Sequence, residues 1–215
     1  MTDRALHKLA TAGGICGVSG TLCYIMAIFL PLGDTLGYAL VMLWPILSIV
    51  FAFALCRLIG AAKESAFNQL AFVFACLAFT TVAAMISIQL AVRMGIAEYI
   101  ASASAGDVTL YDTIRKSARL VDMGMDVAWD FLVGTSLIFL SIALGGDARF
   151  GKVWGTITGI LGTSLIVLNT ITFPWPPDTR GLFDLGPFIG LFIIAISARL
   201  AMIGMRGLRV VKVDG

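Results

Sequence analysis

The sequence predicts an all-α integral membrane protein: a polytopic bundle of six transmembrane helices that forms a single domain over residues 1–215. Hydrophobic residues make up 59% of the chain and charged residues 13%, whereas an ordinary soluble domain carries about 25% charged residues. A chain of this length cannot bury so much apolar surface in a water-soluble fold. The composition therefore excludes a soluble enzyme, a disordered chain and a small disulfide-rich secreted domain.

Six continuous apolar runs give the predicted spans. They cover residues 9–32, 36–56, 69–92, 120–144, 153–173 and 182–205. A helix needs about 20 apolar residues to cross a bilayer, whereas the strands of a membrane barrel are about 10 residues long and alternate in polarity. A helix also satisfies its own backbone hydrogen bonds in lipid. The chain is therefore predicted to cross the membrane six times.

Polar turns separate the spans, and one connection is much longer than the others. Residues 145–147 (Gly-Gly-Asp) separate the fourth span from the fifth, and residues 175–178 (Trp-Pro-Pro-Asp) separate the fifth from the sixth. The third connection, residues 93–119, is predicted to be an extracytoplasmic loop. Its last part, residues 108–120, has apolar residues at helical spacing between basic ones, which predicts a short interfacial helix leading into the fourth span.

The 15 basic residues are unevenly divided between the two sides of the predicted bundle. The side with both termini holds 10 of them: Arg4, Lys8, Arg57, Lys63, Arg149, Lys152, Arg199, Arg206, Arg209 and Lys212. Cytoplasmic loops carry an excess of Lys and Arg, so both termini are predicted to be cytoplasmic. The net charge of +2 hides this division, and we predict no nucleic-acid partner. The basic C-terminal segment is predicted to contact anionic lipid headgroups of the bilayer.

Small residues, cysteines and the lone histidine are predicted to serve packing or topology. Glycines spaced four apart occur at residues 13 and 17, 155 and 159, and 186 and 190. This spacing favours close contact between helices within one chain, with a homo-oligomer as the alternative. The four cysteines lie in apolar spans without a C-x-x-C pair, and His7 is the only histidine. No metal site and no cofactor are therefore predicted, and haem carriage by two histidines is excluded.

Three aspartates in the fourth span are the most informative residues. Asp122, Asp126 and Asp130 recur every four residues, and a helix turns about 100° per residue, so the three carboxylates share one helix face. An aspartate at mid-membrane costs about 2.5–3.5 kcal/mol on insertion scales, and a deep carboxylate needs a partner, a water-filled cavity or a proton. Like charges one turn apart also repel. Asp126 or Asp130 is therefore predicted to bind or share a proton near neutral pH.

Other polar side chains fall at the same outer level of the predicted bundle. Gln89 and Arg93 end the third span, Asn169 lies late in the fifth, Asp184 precedes the sixth, and Trp129 can form an aromatic wall. The predicted pocket opens to the outside. Its ligand-binding or proton-binding residues are Asp122, Asp126, Asp130, Trp129, Asn169, Gln89, Arg93 and Asp184.

The sequence leaves several functions open. The first is binding or transport of a small polar solute or cation through this acidic pocket. The alternative is an accessory or assembly subunit whose carboxylates dock a basic or polar transmembrane residue of a partner, and a structural polar contact that fixes helix register fits the same residues. An intramembrane enzyme is the weakest interpretation, because no nucleophile–base pair or glycine-rich phosphate loop accompanies the acids. No catalytic residue is predicted.

Four segments of the second half carry a resemblance to a known family. They are residues 125–134 (MDVAWDFLVG), 149–151 (RFG), 168–177 (LNTITFPWPP) and 181–187 (GLFDLGP). Over residues 122–194 the chain resembles a family of uncharacterised bacterial polytopic membrane proteins, classed as a domain of unknown function. The resemblance implies a multi-pass protein of the bacterial inner membrane with this size and helix count. It implies no activity, cofactor or ligand.

Overall fold

A computed structural model describes residues 2–63, 65–102 and 105–213, and these residues form a bundle of six long helices. The helices are α1 (Asp3–Phe29), α2 (Asp34–Ala62), α3 (Ala66–Ser102), α4 (Ala105–Gly145), α5 (Gly151–Thr172) and α6 (Gly186–Val213). A short 3-10 helix (Pro177–Arg180) lies between α5 and α6. Each of the six contains a stretch long and apolar enough to cross a membrane. The described residues include no strand, so the prediction of an all-α, six-helix fold is confirmed.

Two helix ends differ from the predicted spans for local reasons. α1 ends at Phe29 rather than at residue 32, because Pro31 follows, and proline disfavours helical geometry in the residue before it. α6 begins at Gly186 rather than at residue 182. The carboxylate of Asp184 accepts a hydrogen bond from the backbone N–H of Gly186 at 2.8 Å, and this satisfies one of the free N–H groups at the start of the helix.

The prediction of a loop with a short separate helix at residues 93–119 is wrong. α3 continues to Ser102 and α4 begins at Ala105, so the stretch 108–120 lies inside α4. Asp112 forms ion pairs with Arg115 at 2.6 Å and Lys116 at 3.2 Å, the spacings that support a helix surface. A polar composition indicates a loop, whereas here the charged side chains stabilise a continuation of the helix.

The extended parts of α3 and α4 form a helical hairpin beyond the predicted spans. α4 has 41 residues, which at about 1.5 Å per residue is about 60 Å, twice the thickness of the bilayer's hydrocarbon core. The rings of Tyr99 and Tyr111 stack across the hairpin with centroids 5.7 Å apart. We call residues 93–102 and 105–119 the far-end hairpin.

From α1 to α5 each helix lies beside the next, and α6 returns to lie beside α1. Gly207 of α6 is in close contact with the ring of His7 of α1, so the first and last helices place the two described chain ends at the same end of the bundle. We call this the termini end, and the opposite end, which holds the α1–α2 and α5–α6 connections, the far end.

Glycines allow the closest helix contacts. A Cβ atom on Gly14 would lie 2.5 Å from the carbonyl oxygen of Ser197, and one on Gly162 would lie 2.7 Å from the carbonyl oxygen of Gly134. Gly13, Gly17, Gly155 and Gly159 also pack against residues of the same chain. Gly190, by contrast, has no neighbouring atom within 4 Å of its Cβ position. Close backbone approach therefore joins α1 to α6 and α4 to α5.

A polar cluster at the termini end ties three parts of the chain together. Asp147 is buried, and its Oδ1 accepts hydrogen bonds from the backbone N–H and the Nε of Arg149 at 2.8 and 3.0 Å. The guanidinium of Arg149 also donates to the carbonyl oxygen of Leu58 on α2 at 2.7 Å. Arg199 of α6 donates to the carbonyl oxygen of Arg149 at 2.7 Å. The α4–α5 connection is thereby fixed to α2 and α6.

We predict that Arg149→Met destabilises the folded protein by about 1–3 kcal/mol, because it leaves the buried Asp147 carboxylate with unmade hydrogen bonds. Thermal unfolding of the purified protein in detergent measures this. Lys152→Met is the matched control, since Lys152 is an exposed cation in the next helix, and it should unfold like the wild type. Equal melting temperatures for both variants would show that the cluster does not stabilise the fold.

Candidate functional site

The three aspartates of α4 lie on one helix face, as their spacing predicts, but at different degrees of burial. Asp130 is 8% exposed, whereas Asp126 and Asp122 are half-buried. Four residues advance the helix by about 6 Å and rotate it by only about 40°. The stripe therefore runs from the surface of the bundle at Asp122 to its interior at Asp130.

The deepest carboxylate has a specific partner on the next helix. Nδ2 of Asn169 donates a hydrogen bond to Oδ2 of Asp130 at 2.8 Å and a second to the carbonyl oxygen of Leu165 at 3.0 Å. Asn169 is 1% exposed, and its Oδ1 is buried without a hydrogen-bond partner among the described residues. The pair joins α4 to α5 and leaves one buried acceptor unused, which is costly in an apolar interior.

This pair lies in a cavity of about 230 Å³ at the far end, between α4, α5 and the connection to α6. Its polar lining consists mainly of carboxylates: Asp126, Asp130, Asp178 and Asp184, with Asn169, Thr179 and Arg119. We call it the acidic cavity. Four carboxylates and a single guanidinium in a small space give it an excess of negative charge, and such a field concentrates cations.

A second, larger cavity of about 740 Å³ lies on the other side of α4, among α1, α2 and α3. Its polar and aromatic lining includes Tyr24, Tyr38, Trp44, Trp129, Gln89, Arg93, Asp34 and Asp126. We call it the aromatic cavity. Asp126 lines both cavities, so its carboxylate lies between a small acidic space and a large aromatic one.

The structure therefore divides the predicted pocket residues into two groups. Asp126, Asp130, Asn169 and Asp184 lie together on the acidic cavity. Gln89, Arg93 and Trp129 lie with Asp126 on the aromatic cavity. Asp122 lines neither of these two cavities, and its Oδ1 is buried without a hydrogen-bond partner in the described part of the chain. The single predicted pocket is in fact two cavities that meet at Asp126.

Arg93 is engaged by a carboxylate that the sequence analysis did not select. Its guanidinium lies 2.8 Å from Oδ1 of Asp34, the first residue of α2, and both side chains are exposed. Asp126, in contrast, has no hydrogen bond or ion pair with the described residues. Of the two carboxylates on the aromatic cavity, Asp126 is thus the one without a cationic partner among the described residues.

Trp44 and Tyr24 were also missed as site residues. The Trp44 ring is 6% exposed and contacts Tyr24, Trp129 and Phe79, with centroids 4.2, 6.0 and 6.2 Å away. Trp44 lies inside a continuous apolar run, where an aromatic residue gives no sign of its neighbours. The only available signal was the tryptophan itself, whose N–H usually finds a partner when buried.

The described residues contain no group of three or more His, Cys, Asp and Glu side chains placed to hold a metal ion. The carboxylates of the acidic cavity can instead attract a cation by charge, exchange protons or accept hydrogen bonds from a polar solute. No family model, curated protein or solved structure matches this chain.

We predict that Asp130 and Asn169 are energetically coupled. Asn169→Leu leaves a buried carboxylate without its donor, and Asp130→Leu leaves a buried amide without its acceptor, so each should destabilise the fold by about 1–3 kcal/mol. The double substitution removes both polar groups. Its loss of unfolding free energy should be smaller than the sum of the two single losses, by a coupling energy of about 0.5–2 kcal/mol. Unfolding in detergent gives these values. If the losses of the two single variants simply added in the double variant, the contact would be contradicted. Thr170→Val, at an exposed position, is the control.

Proposed function

We propose that this chain is a multi-pass membrane protein that binds or transports a small solute or cation through the acidic cavity at the far end. The observation that carries the proposal is the position of Asp126: this half-buried carboxylate forms no ion pair within the described part of the chain, and it lines both the acidic and the aromatic cavity. A carboxylate kept in an apolar bundle without a fixed partner is costly, and in membrane proteins such residues mark ligand, ion and proton sites.

The proposed orientation places the acidic cavity on the outside. Ten of the 15 basic residues belong to the side with both termini, and the Arg149 and Arg199 cluster lies at that end of the bundle. An excess of Lys and Arg favours the cytoplasmic side. We therefore propose cytoplasmic termini and the bacterial inner membrane as the location.

A second candidate is an accessory or assembly subunit, and Asp122 favours it. This half-buried aspartate lines neither far-end cavity, and one of its carboxylate oxygens has no partner among residues 2–63, 65–102 and 105–213. A basic or polar transmembrane residue of another subunit, or of a second copy of this chain, would pair with the other oxygen of this carboxylate. Under this proposal the purified protein binds no cation by itself and co-purifies with a membrane partner.

We predict that purified protein binds at least one cation with saturable heat in isothermal titration calorimetry with NaCl, KCl and choline chloride. Asp126→Asn should abolish this heat, whereas Asp112→Asn, at a partly exposed aspartate of the far-end hairpin that lines neither cavity, should retain it. Binding should weaken as pH falls, because protons compete with the cation for the carboxylate. If the wild type and Asp126→Asn give equal binding heats with all three salts, the proposal is contradicted and the accessory subunit is favoured.

Binding and transport are separated by a second measurement. In liposomes, a transporter should take up the bound cation down its gradient, and Asp126→Asn and Asp130→Asn should reduce the rate at equal protein insertion. A protein that binds the cation without uptake is a receptor or sensor for it. The Asp112→Asn variant is again the matched control, because it removes one carboxylate outside both cavities.

A further inference from the structure

We propose that the ligand of the aromatic cavity is an organic ammonium ion: a cationic nitrogen on a small organic body, held by the carboxylate of Asp126 and the rings of Tyr24, Trp44 and Trp129. This inference rests on the proposed function and extends it to the larger cavity that shares Asp126 with the acidic cavity, and it names the chemical class of the cation.

The size of the cavity favours an organic ligand over a bare ion. Its volume of about 740 Å³ falls within the roughly 300–1,000 Å³ range of sites for small organic molecules. A monatomic ion needs a close shell of oxygen ligands at about 2–3 Å, whereas the described part of the chain brings no three acidic or other metal-binding side chains together. The size and lining of the aromatic cavity thus suit a molecule with carbon atoms better than a bare ion.

The charge of the cavity favours a cation with one positive centre. Two carboxylates and one guanidinium line it. Arg93 and Asp34 neutralise each other across 2.8 Å at the exposed rim, which leaves the half-buried Asp126 as the uncompensated charge. A single ammonium group beside Asp126 would balance the site. A ligand that combines positive charge with an apolar body matches the mixed polar and apolar walls.

The aromatic rings supply the recognition expected for an ammonium group. Trp129 follows Asp126 by three residues on α4, so the carboxylate and the indole are neighbours on one helix surface. Trp44 bridges Trp129 and Tyr24 with centroid separations of 6.0 and 4.2 Å. Aromatic rings combined with a carboxylate bind ammonium ions through cation–π attraction, most strongly when the site is shielded from water.

The test uses choline chloride as the probe and NaCl as the comparison, both titrated into the full chain in phospholipid-free detergent. We expect saturable binding of choline, no saturable binding of sodium, and a change in tryptophan fluorescence. Asp126→Asn should abolish choline binding, and Trp129→Leu should weaken it roughly 3- to 30-fold, the range of a desolvated cation–π contact. Trp154→Leu is the matched control, because Trp154 lies on α5 and lines neither far-end cavity.

If Trp129→Leu does not fold, Tyr38→Leu takes its place in the test. Tyr38 also lines the aromatic cavity and is 42% exposed, so Tyr38→Leu should fold normally and still weaken choline binding. If only sodium or potassium binds and its binding requires Asp126, the proposed function stands and the organic ammonium inference is overturned. If no cation binds, both are overturned.

The ammonium group can belong to a free solute or to a phospholipid headgroup, and a competition experiment separates them. Short-chain phosphatidylcholine below its micelle concentration should displace choline if the cavity accepts lipid headgroups. A free-solute site should keep its affinity for choline when this lipid is added. Either result supports an ammonium site at Asp126 and shows whether the ammonium group belongs to a free solute or to a lipid headgroup.

Discussion

The hydrogen bond between Asp130 and Asn169 is the constraint on which the far end of the bundle depends. A buried carboxylate in an apolar bundle has few ways to be stabilised, and here the amide of Asn169 contacts it at 2.8 Å. Because this bond links α4 to α5, it fixes the rotation of α4 within the bundle. One turn closer to the far end, that rotation places Asp126 on the walls of both the acidic and the aromatic cavity.

The two ends of the bundle are built from different side chains. At the termini end, Gly155 lets α5 approach α4, and the Arg149 cluster ties the α4–α5 connection to α2 and α6. At the far end, large aromatic residues such as Trp44 and Trp129 separate the helices. These two rings line the aromatic cavity.

The sequence was sufficient for the number of helices and for the aspartate face, because both follow from local patterns of hydropathy and spacing. It also predicted that Asn169 lies at the level of Asp130. It could not separate the two cavities: Gln89 and Asn169 have the same predicted depth, but they line different sides of α4. Which helices adjoin depends on tertiary packing. Trp44 could not be recognised from the sequence for the same reason, because its ring contacts come from helices α1, α3 and α4.

The central claim is that Asp126 lies in a water-accessible cavity at the outer end, and cysteine accessibility tests it most directly. In a background without the four native cysteines, Asp126→Cys, Val127→Cys and Ala128→Cys place a thiol at nearly the same depth on three sides of α4. Val127 is buried and Ala128 lies on the exposed outer surface of the bundle. A charged, membrane-impermeant thiol reagent added from outside should modify Asp126→Cys rapidly and the other two slowly. Equal, slow modification of all three would contradict the account.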